Sequence, residues 1–291
     1  MFEFSILLPA LLNGLTTGAV YALVALGLTL IYGVLHIINF AHGSLLMLAL
    51  YGVFFLNAMF GVDPYLALPI VVPALFAVGY ALQRCVIGRA RHGKDENILL
   101  VTLGLAIVID NLALYFWSAD TRTVDTPYGF DTVDFGIAAI AVPKVVAFVA
   151  ALIISGLLWL LMSRTDLGKA IRALAKERQG ARLVGINVDH VYAMSFGIGT
   201  ACVGAAACLL LPSFYVNPGV GQLFVLIAFT VVVLGGMGSF VGALVGGLLI
   251  GVTESLGGLF FGESIGQLGI FLIFIAVLLF RPTGLFGRRA A

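Results

Sequence analysis

The chain reads as an all-α polytopic membrane protein, with about eight or nine transmembrane helices, a few of which fit re-entrant segments as well as crossings, the N-terminus outside and the C-terminus cytoplasmic. Three observations predict this. Of 291 residues, 62% are hydrophobic and 10% charged, with a mean hydropathy of +1.15; a soluble domain carries about 25% charge. Apolar windows of the roughly 20 residues that cross a bilayer recur along the whole chain. The cations are sorted into short clusters between alternate windows. The net charge is +1, and no basic patch is large enough to follow a phosphate backbone, so membrane lipid is an expected partner and nucleic acid is not.

The windows fall at 8–32, 41–60, 65–87, 98–118, 143–163, 191–212, 222–238, 240–261 and 265–280. The first follows Met-Phe-Glu-Phe without a basic n-region and outruns a signal h-region, so it is expected to be retained. The second begins where Asn39-Phe-Ala-His-Gly-Ser44 interrupts the apolar sequence. The third and fourth flank a basic turn. A loop at about 119–142, carrying Asp120, Asp125, Asp131 and Asp134, precedes the fifth, and a longer loop at about 164–190 precedes the sixth. The window at 222–238 is short, and with its tight flanking turns it fits either a crossing or part of a re-entrant pair, which is tolerated where protein covers the backbone. With inside segments at 33–40, 84–97, 164–190, 236–239 and from Arg281 onward, only Arg122 and Lys144 of the 15 Lys and Arg fall elsewhere. The positive-inside rule then sets the orientation, with one membrane domain spanning 1–291.

The 36 glycines need a packing reason, because helix propensity disfavours them. Gly238, Gly242 and Gly246 recur every fourth residue, Gly247 and Gly251 repeat the step, and Gly14 and Gly18 do so in the first window. Such faces let helices approach closely in lipid. His42-Gly43-Ser44 and Met237-Gly238-Ser239 each open an apolar run, a short echo of the internal repeats of transporters.

Polar groups inside apolar windows are the candidates for a working role. Asn39, His42 and Ser44 stand at the break, Gly238 and Ser239 at its echo, and Glu254 in the outer half of the eighth window; these six are the translocation-pathway candidates. The bland alternative for the break is a helix-capping turn buried between helices. Asp110, beside Asn111, lies mid-window, where an ionised Asp costs roughly 2.5–3.5 kcal/mol on the insertion scale. It fits either an ion relay or a hydrogen-bonded packing residue. A close approach of the Asn39–Ser44 break to the 235–246 segment is also expected, since a polar turn entering the membrane needs backbone cover. Cys85, Cys202 and Cys208 lie in or beside apolar runs without metal-ligand spacing, and the four histidines show no zinc motif, so no metal, cofactor or catalytic site is expected. Gly88-Arg-Ala-Arg-His-Gly93-Lys94 has P-loop spacing, but Asp95 stands where Ser or Thr must reach magnesium and a membrane helix replaces the preceding strand.

The 164–190 loop has mechanical content. Ile171, Leu174 and Ala175, then Ala181, Leu183 and Val184, give helical apolar spacing among six basic residues, and Gly185 is a stop. The loop fits a surface helix that either snorkels at the headgroups or docks on a cytoplasmic partner.

Four runs carry a resemblance: Ile31-Tyr-Gly-Val-Leu-His-Ile-Ile-Asn-Phe-Ala-His-Gly43, Ala181-Arg-Leu-Val-Gly-Ile-Asn-Val-Asp-His-Val191, Ala228-Phe-Thr-Val-Val-Val-Leu-Gly-Gly-Met-Gly-Ser-Phe-Val-Gly-Ala243 and Arg281-Pro-Thr-Gly-Leu-Phe-Gly287. Nearly end to end, the chain resembles the LivH-type permease subunits of branched-chain amino acid ABC importers. The resemblance implies a non-enzymatic subunit of the bacterial inner membrane, forming half of a translocation pathway. Its implied partners are a second, LivM-type permease, two cytoplasmic ATPase subunits that supply the hydrolysis, and a periplasmic substrate-binding protein. The family's coupling signature is Glu-Ala-Ala-x-x-x-Gly; here Gln179-Gly180-Ala181-x-x-x-Gly185 keeps its spacing and final glycine but departs at the first two residues, and the resemblance makes these four residues, with Arg172, the ATPase-coupling candidates. Relatives carry an amide pair where this chain has Asp110-Asn111. Members of the subgroup also move urea and short amides, and a self-sufficient secondary transporter or channel using Asp110 and Glu254 is the alternative from a different class.

Overall fold

The computed structural model describes residues 4–90, 95–134, 139–281 and 283–287. Twelve α-helices make up most of the described residues. They are α1 (Phe4–Leu35), α2 (Ala41–Phe60), α3 (Leu68–Leu82), α4 (Gly88–Ala90), α5 (Asp95–Trp117), α6 (Val142–Arg164), α7 (Asp166–Lys176), α8 (Arg178–Leu183), α9 (Val188–Leu210), α10 (Val220–Gly235), α11 (Phe240–Phe261) and α12 (Glu263–Phe280). A π-helical turn, Gln83–Ile87, joins α3 to α4. The departure from the all-α expectation is a small antiparallel hairpin in the acidic loop, β1 (Thr132–Asp134) with β2 (Ala139–Ala141), pairing Val133 with Ile140.

Seven stretches are long and apolar enough to cross a membrane: Ile6–Leu35, Ala41–Phe60, Leu68–Ala90, Asn97–Trp117, Val142–Arg164, Val188–Ser213 and Phe240–Phe261. Two shorter apolar helices, Val220–Gly235 and Ile265–Phe280, complete the set that the windows predict. The chain is a multi-pass membrane protein.

The 32-residue α1 is the central post. It is apolar all round, as a helix buried on every side must be, and it packs on α11, α9, α6 and α10. Glycine makes the closest of these contacts. A Cβ on Gly14 would lie 2.7 Å from the Gly251 carbonyl oxygen, and one on Gly18 equally close to that of Gly247. The predicted ladder is therefore an interface within the chain, and it serves two neighbours: Gly247 and Gly251 face α1, whereas Gly242 and Gly246 face Gly235 of α10. Around this centre, the helices α3, α5, α6 and α12 present apolar side chains outward, including Ile70, Leu112, Leu157 and Leu272.

The acidic loop is pinned to the helix ends by aromatic contacts. The Arg122 guanidinium lies 5.5 Å from the centre of the Phe54 ring and donates to the Trp117 carbonyl at 3.0 Å, while its backbone pairs with Val216. Tyr128 stacks on Tyr65 and donates to the Asp63 carboxylate at 2.5 Å. Burial, and then the Asp63 carboxylate, push the Tyr128 phenol well above its ordinary range, so this latch stays protonated at physiological pH.

Candidate functional site

The break between α1 and α2 is a capped turn inside the core. His36 takes a left-handed φ of 55°, the chain runs back along α1, and α2 starts again at Ala41. Asn39 Oδ1 accepts from the Ala41 amide at 3.1 Å. His42 Nε2 donates to the Val24 carbonyl of α1 at 2.9 Å; a carbonyl only accepts, which fixes the proton on that nitrogen. Asn39, His42 and Ser44 are 1%, 0% and 3% exposed, and none lines a cavity described below. The backbone that covers them is also not the expected one. Gly43 meets Gly221 at the start of α10, where a Cβ on Gly221 would sit 2.7 Å from the Gly43 carbonyl oxygen. The 235–246 segment instead faces α1 through Gly238 and Gly33 and the chain end through Gly236 and Gly284. Ser239 caps α11 by accepting from the Gly242 amide at 3.1 Å, and Gly238, at φ 82°, makes the turn before it.

Two of the four runs, the one through Leu234 and Gly235 and the one through Leu285 and Phe286, close on one another here. The amides of Leu285 and Phe286 donate to the carbonyls of Leu234 and Gly235 at 2.8 and 3.1 Å. They satisfy acceptors that the end of α10 leaves open.

Glu254 lies elsewhere, on the wall of a cavity of about 520 Å³ between α1, α6, α11 and the residues after α9. Tyr21 and Lys144 line the same cavity as Glu254. Lys144 in turn donates to Asn13 Oδ1 at 2.6 Å. A second cavity, of about 600 Å³, adjoins it and shares Asn13, Lys144 and Ser255. Sequence reasoning singled out Glu254 but not Lys144. Its one signal was that Lys144 stands outside the sorted cations.

At the other end, the 164–190 loop forms two helices rather than one. Thr165 caps α7 by accepting from the Gly168 amide at 3.1 Å, and Ile171 and Leu174 bury against Leu30, Val34, Val188 and Tyr192. Arg172 donates to the Met162 carbonyl, tying α7 to the end of α6. On the outer face Lys169 binds Asp166 at 2.9 Å and holds that exposed carboxyl below its usual range. Glu177, at φ −152°, interrupts the helix and caps α8 by accepting from the Gln179 amide at 3.1 Å. The interruption changes the phase of the apolar stripe. Ala181 stays buried, but Leu183 is 88% and Val184 75% exposed, at a tip that ends on Gly185 with φ 83°. Gln179 and Gly185 are exposed and Gly180 is half-buried. Beside the tip is a cavity of about 430 Å³, walled by Arg84 and Arg89 at the π-helical turn and just after it, by Arg178 and Arg182 of α8, and by one carboxylate, Asp189 of α9. The second half of the P-loop-like run, 91–94, lies outside the described residues.

Asp110 is remote in kind from this arrangement. Its helix α5 packs on α2, whereas the α11 of Glu254 packs on α1, α10 and α12. One Asp110 carboxylate oxygen is buried and has no hydrogen-bond partner among the described residues.

Comparison with known proteins agrees with this architecture. Residues 10–280 match the family described as branched-chain amino acid transport system, permease component. The chain is 36% identical to the high-affinity branched-chain amino acid transport system permease protein BraD of Pseudomonas aeruginosa, over 97% of this chain and 96% of that protein. It is 33% identical to the permease proteins LivH of Salmonella typhimurium and Escherichia coli K12, in each case over 98% of this chain and 97% of the relative. No solved structure matches. A single family match over almost the whole chain, on a bundle with seven apolar helices of spanning length, makes this protein a member of the family of permease components of branched-chain amino acid transport systems.

Proposed function

We propose that this chain is one of two permease halves of an ATP-driven importer of branched-chain amino acids in the bacterial inner membrane. A second, LivM-type permease completes the pathway, two cytoplasmic ATPase subunits drive it, and a periplasmic binding protein delivers substrate. The observation that carries the reading is the tip at Leu183 and Val184. Two large apolar side chains left exposed on a capped helix pair are what a partner-docking surface requires, and they occur where the family's coupling glycine, Gly185, stands. The guanidinium-lined cavity beside them suits an acidic partner surface. In this reading α7 and α8 are cytoplasmic, the N-terminus, the hairpin and the Glu254 cavity face outward, and the chain crosses the membrane nine times. The 16 residues of α10 span about 24 Å, less than the roughly 30 Å hydrocarbon core, so α10 is covered at its start by α2 rather than by lipid. Asn39, His42 and Ser44 set where α2 begins, Gly238 and Ser239 form the inner mouth, and Glu254 faces substrate. Arg172 braces the coupling helix, while Gln179, Gly180 and Gly185 shape the docking face.

Co-expression with the neighbouring transport genes tests the assembly. The four kinds of subunit are expected to co-purify, and ATP-driven leucine uptake in proteoliposomes is expected to be displaced by isoleucine and valine but not by urea. Displacement by urea or acetamide alone would move the substrate to the amide branch of the family.

Two further outcomes follow. A Cβ at Gly185 meets open space, so Gly185→Leu acts through backbone strain of about 1–2 kcal/mol in the left-handed region and through bulk at the tip, not through a clash in the core. It should leave the permease inserted and the ATPase active but cut uptake per ATP hydrolysed severalfold. Unchanged coupling in that variant would remove the tip from the mechanism. Asp110→Asn should retain most uptake, because an ATP-driven importer needs no ion relay and the amide keeps the shape. Loss of uptake together with loss of proton or sodium dependence would favour a secondary transporter instead.

A further inference from the structure

The cavity at Glu254 holds one basic and one acidic side chain, Lys144 and Glu254, that do not pair directly. Lys144 and Glu254 interact electrostatically, yet no ion pair within 4 Å joins them. Each has capacity to spare. Asn13 uses one of three Lys144 donors, and the Glu254 carboxylate, with four acceptor sites, shares the cavity wall with Tyr21. Two opposite charges held apart in a half-buried site are costly unless something satisfies both. The rest of the lining is apolar where it is deepest: Val20 and Leu209 are 2% and 0% exposed and form the floor with Leu223. The volume, about 520 Å³, falls within the roughly 300–1,000 Å³ of small-molecule sites. The adjoining cavity, which shares Lys144 and Asn13, gives it an approach past β2.

We infer that this cavity is a reception site for an amino acid zwitterion with an aliphatic side chain. Lys144 Nζ takes the α-carboxylate, Glu254 takes the α-ammonium with Tyr21 orienting the carboxylate oxygens, and the Val20–Leu209–Leu223 floor takes the branched side chain. The inference rests on the importer reading for its direction of flow and adds what that reading lacks, the chemical feature of the substrate that the permease itself reads. Urea and simple amides offer neither charge, so the site discriminates against them. Binding is expected to be weak, in the millimolar range, because a substrate on a transport route must also leave.

Ligand protection of a single cysteine tests it in the full assembly, with Cys85, Cys202 and Cys208 replaced by alanine and ATP-driven uptake verified. Thr17 lines the cavity, and Ser213 is a second lining position. A small neutral thiol reagent should label Thr17→Cys, and L-leucine should slow labelling severalfold. Leucinamide, 4-methylpentanoate and acetamide should not. Lys144→Gln and Glu254→Gln should each leave labelling intact and abolish the leucine effect. Protection that survives in both variants overturns the charge assignment. Leucine uptake without any protection at Thr17→Cys or Ser213→Cys overturns the site and leaves the importer reading standing. Protection by acetamide but not by leucine overturns both. If neither cysteine is labelled, the cavity is closed to solutes and the inference fails.

Discussion

Replacing Leu183 and Val184 together by glutamate is expected to abolish ATP-driven uptake while the permease remains inserted and folded. Both side chains are already exposed and pack on little of the folded chain, which therefore loses little. Burying each against a partner is worth about 1.5–3 kcal/mol, and at about 1.4 kcal/mol per factor of ten the pair should weaken ATPase docking by roughly a hundredfold or more. The two added negative charges also cancel the positive charge that Arg178 and Arg182 give that surface. Pull-down of the ATPase subunits with tagged permease reads the effect directly. Full ATPase recovery with the double variant would show that the tip is not the docking surface. Replacement of Arg172 should behave differently, since its guanidinium holds the end of α6 and its loss loosens α7 rather than removing a contact.

The second large effect concerns the fold itself. Gly18→Leu should prevent a stable permease, because its Cβ alone would fall 2.7 Å from the Gly247 carbonyl oxygen, a backbone atom that no side-chain rotation can move. Overpacking typically costs about 1–3 kcal/mol, and here α1 is wedged away from its most extensive partner. Gly104→Leu supplies the contrast: it meets nothing within 4 Å and faces outward from α5. Heating detergent-solubilised protein and following the monodisperse fraction should show a markedly lower transition for Gly18→Leu and little change for Gly104→Leu. Equal behaviour of the two would mean that the α1–α11 contact is not what holds the bundle.

Bilayer length and charge sorting made the helices legible, since each crossing must be about 20 apolar residues and each loop must carry its charge outside lipid. Glycine spacing likewise exposed the α11 ladder, but spacing alone does not say which helix lies opposite, and α11 proves to serve both α1 and α10. Where the reading depended on a continuous period it went astray. The apolar stripe of the 164–190 loop extends to Leu183 and Val184 only if no residue breaks the helix, and Glu177 breaks it. The two cations left over from the sorted set were informative in ways that sequence cannot separate. Arg122 is a latch over Phe54 and Phe55, whereas Lys144 looks into a cavity across from Glu254, 110 residues away in the chain. Nothing local in the sequence links such a pair. The polar break at Asn39 drew attention because polar groups are expensive in lipid; capping and the Val24 carbonyl meet part of that expense, while Asn39 Nδ2 and His42 Nδ1 are buried with no hydrogen-bond partner among the described residues.

The central claim is that this chain is a passive half-channel whose direction of transport is imposed by separate ATPases through the α7–α8 tip. Accumulation of radiolabelled leucine in proteoliposomes tests it most directly, with this chain alone compared to the complete assembly under ATP. The complete assembly is expected to concentrate leucine only with ATP and the binding protein present, and the chain alone to accumulate none under any proton or sodium gradient. Gradient-driven accumulation by the chain alone would contradict the account.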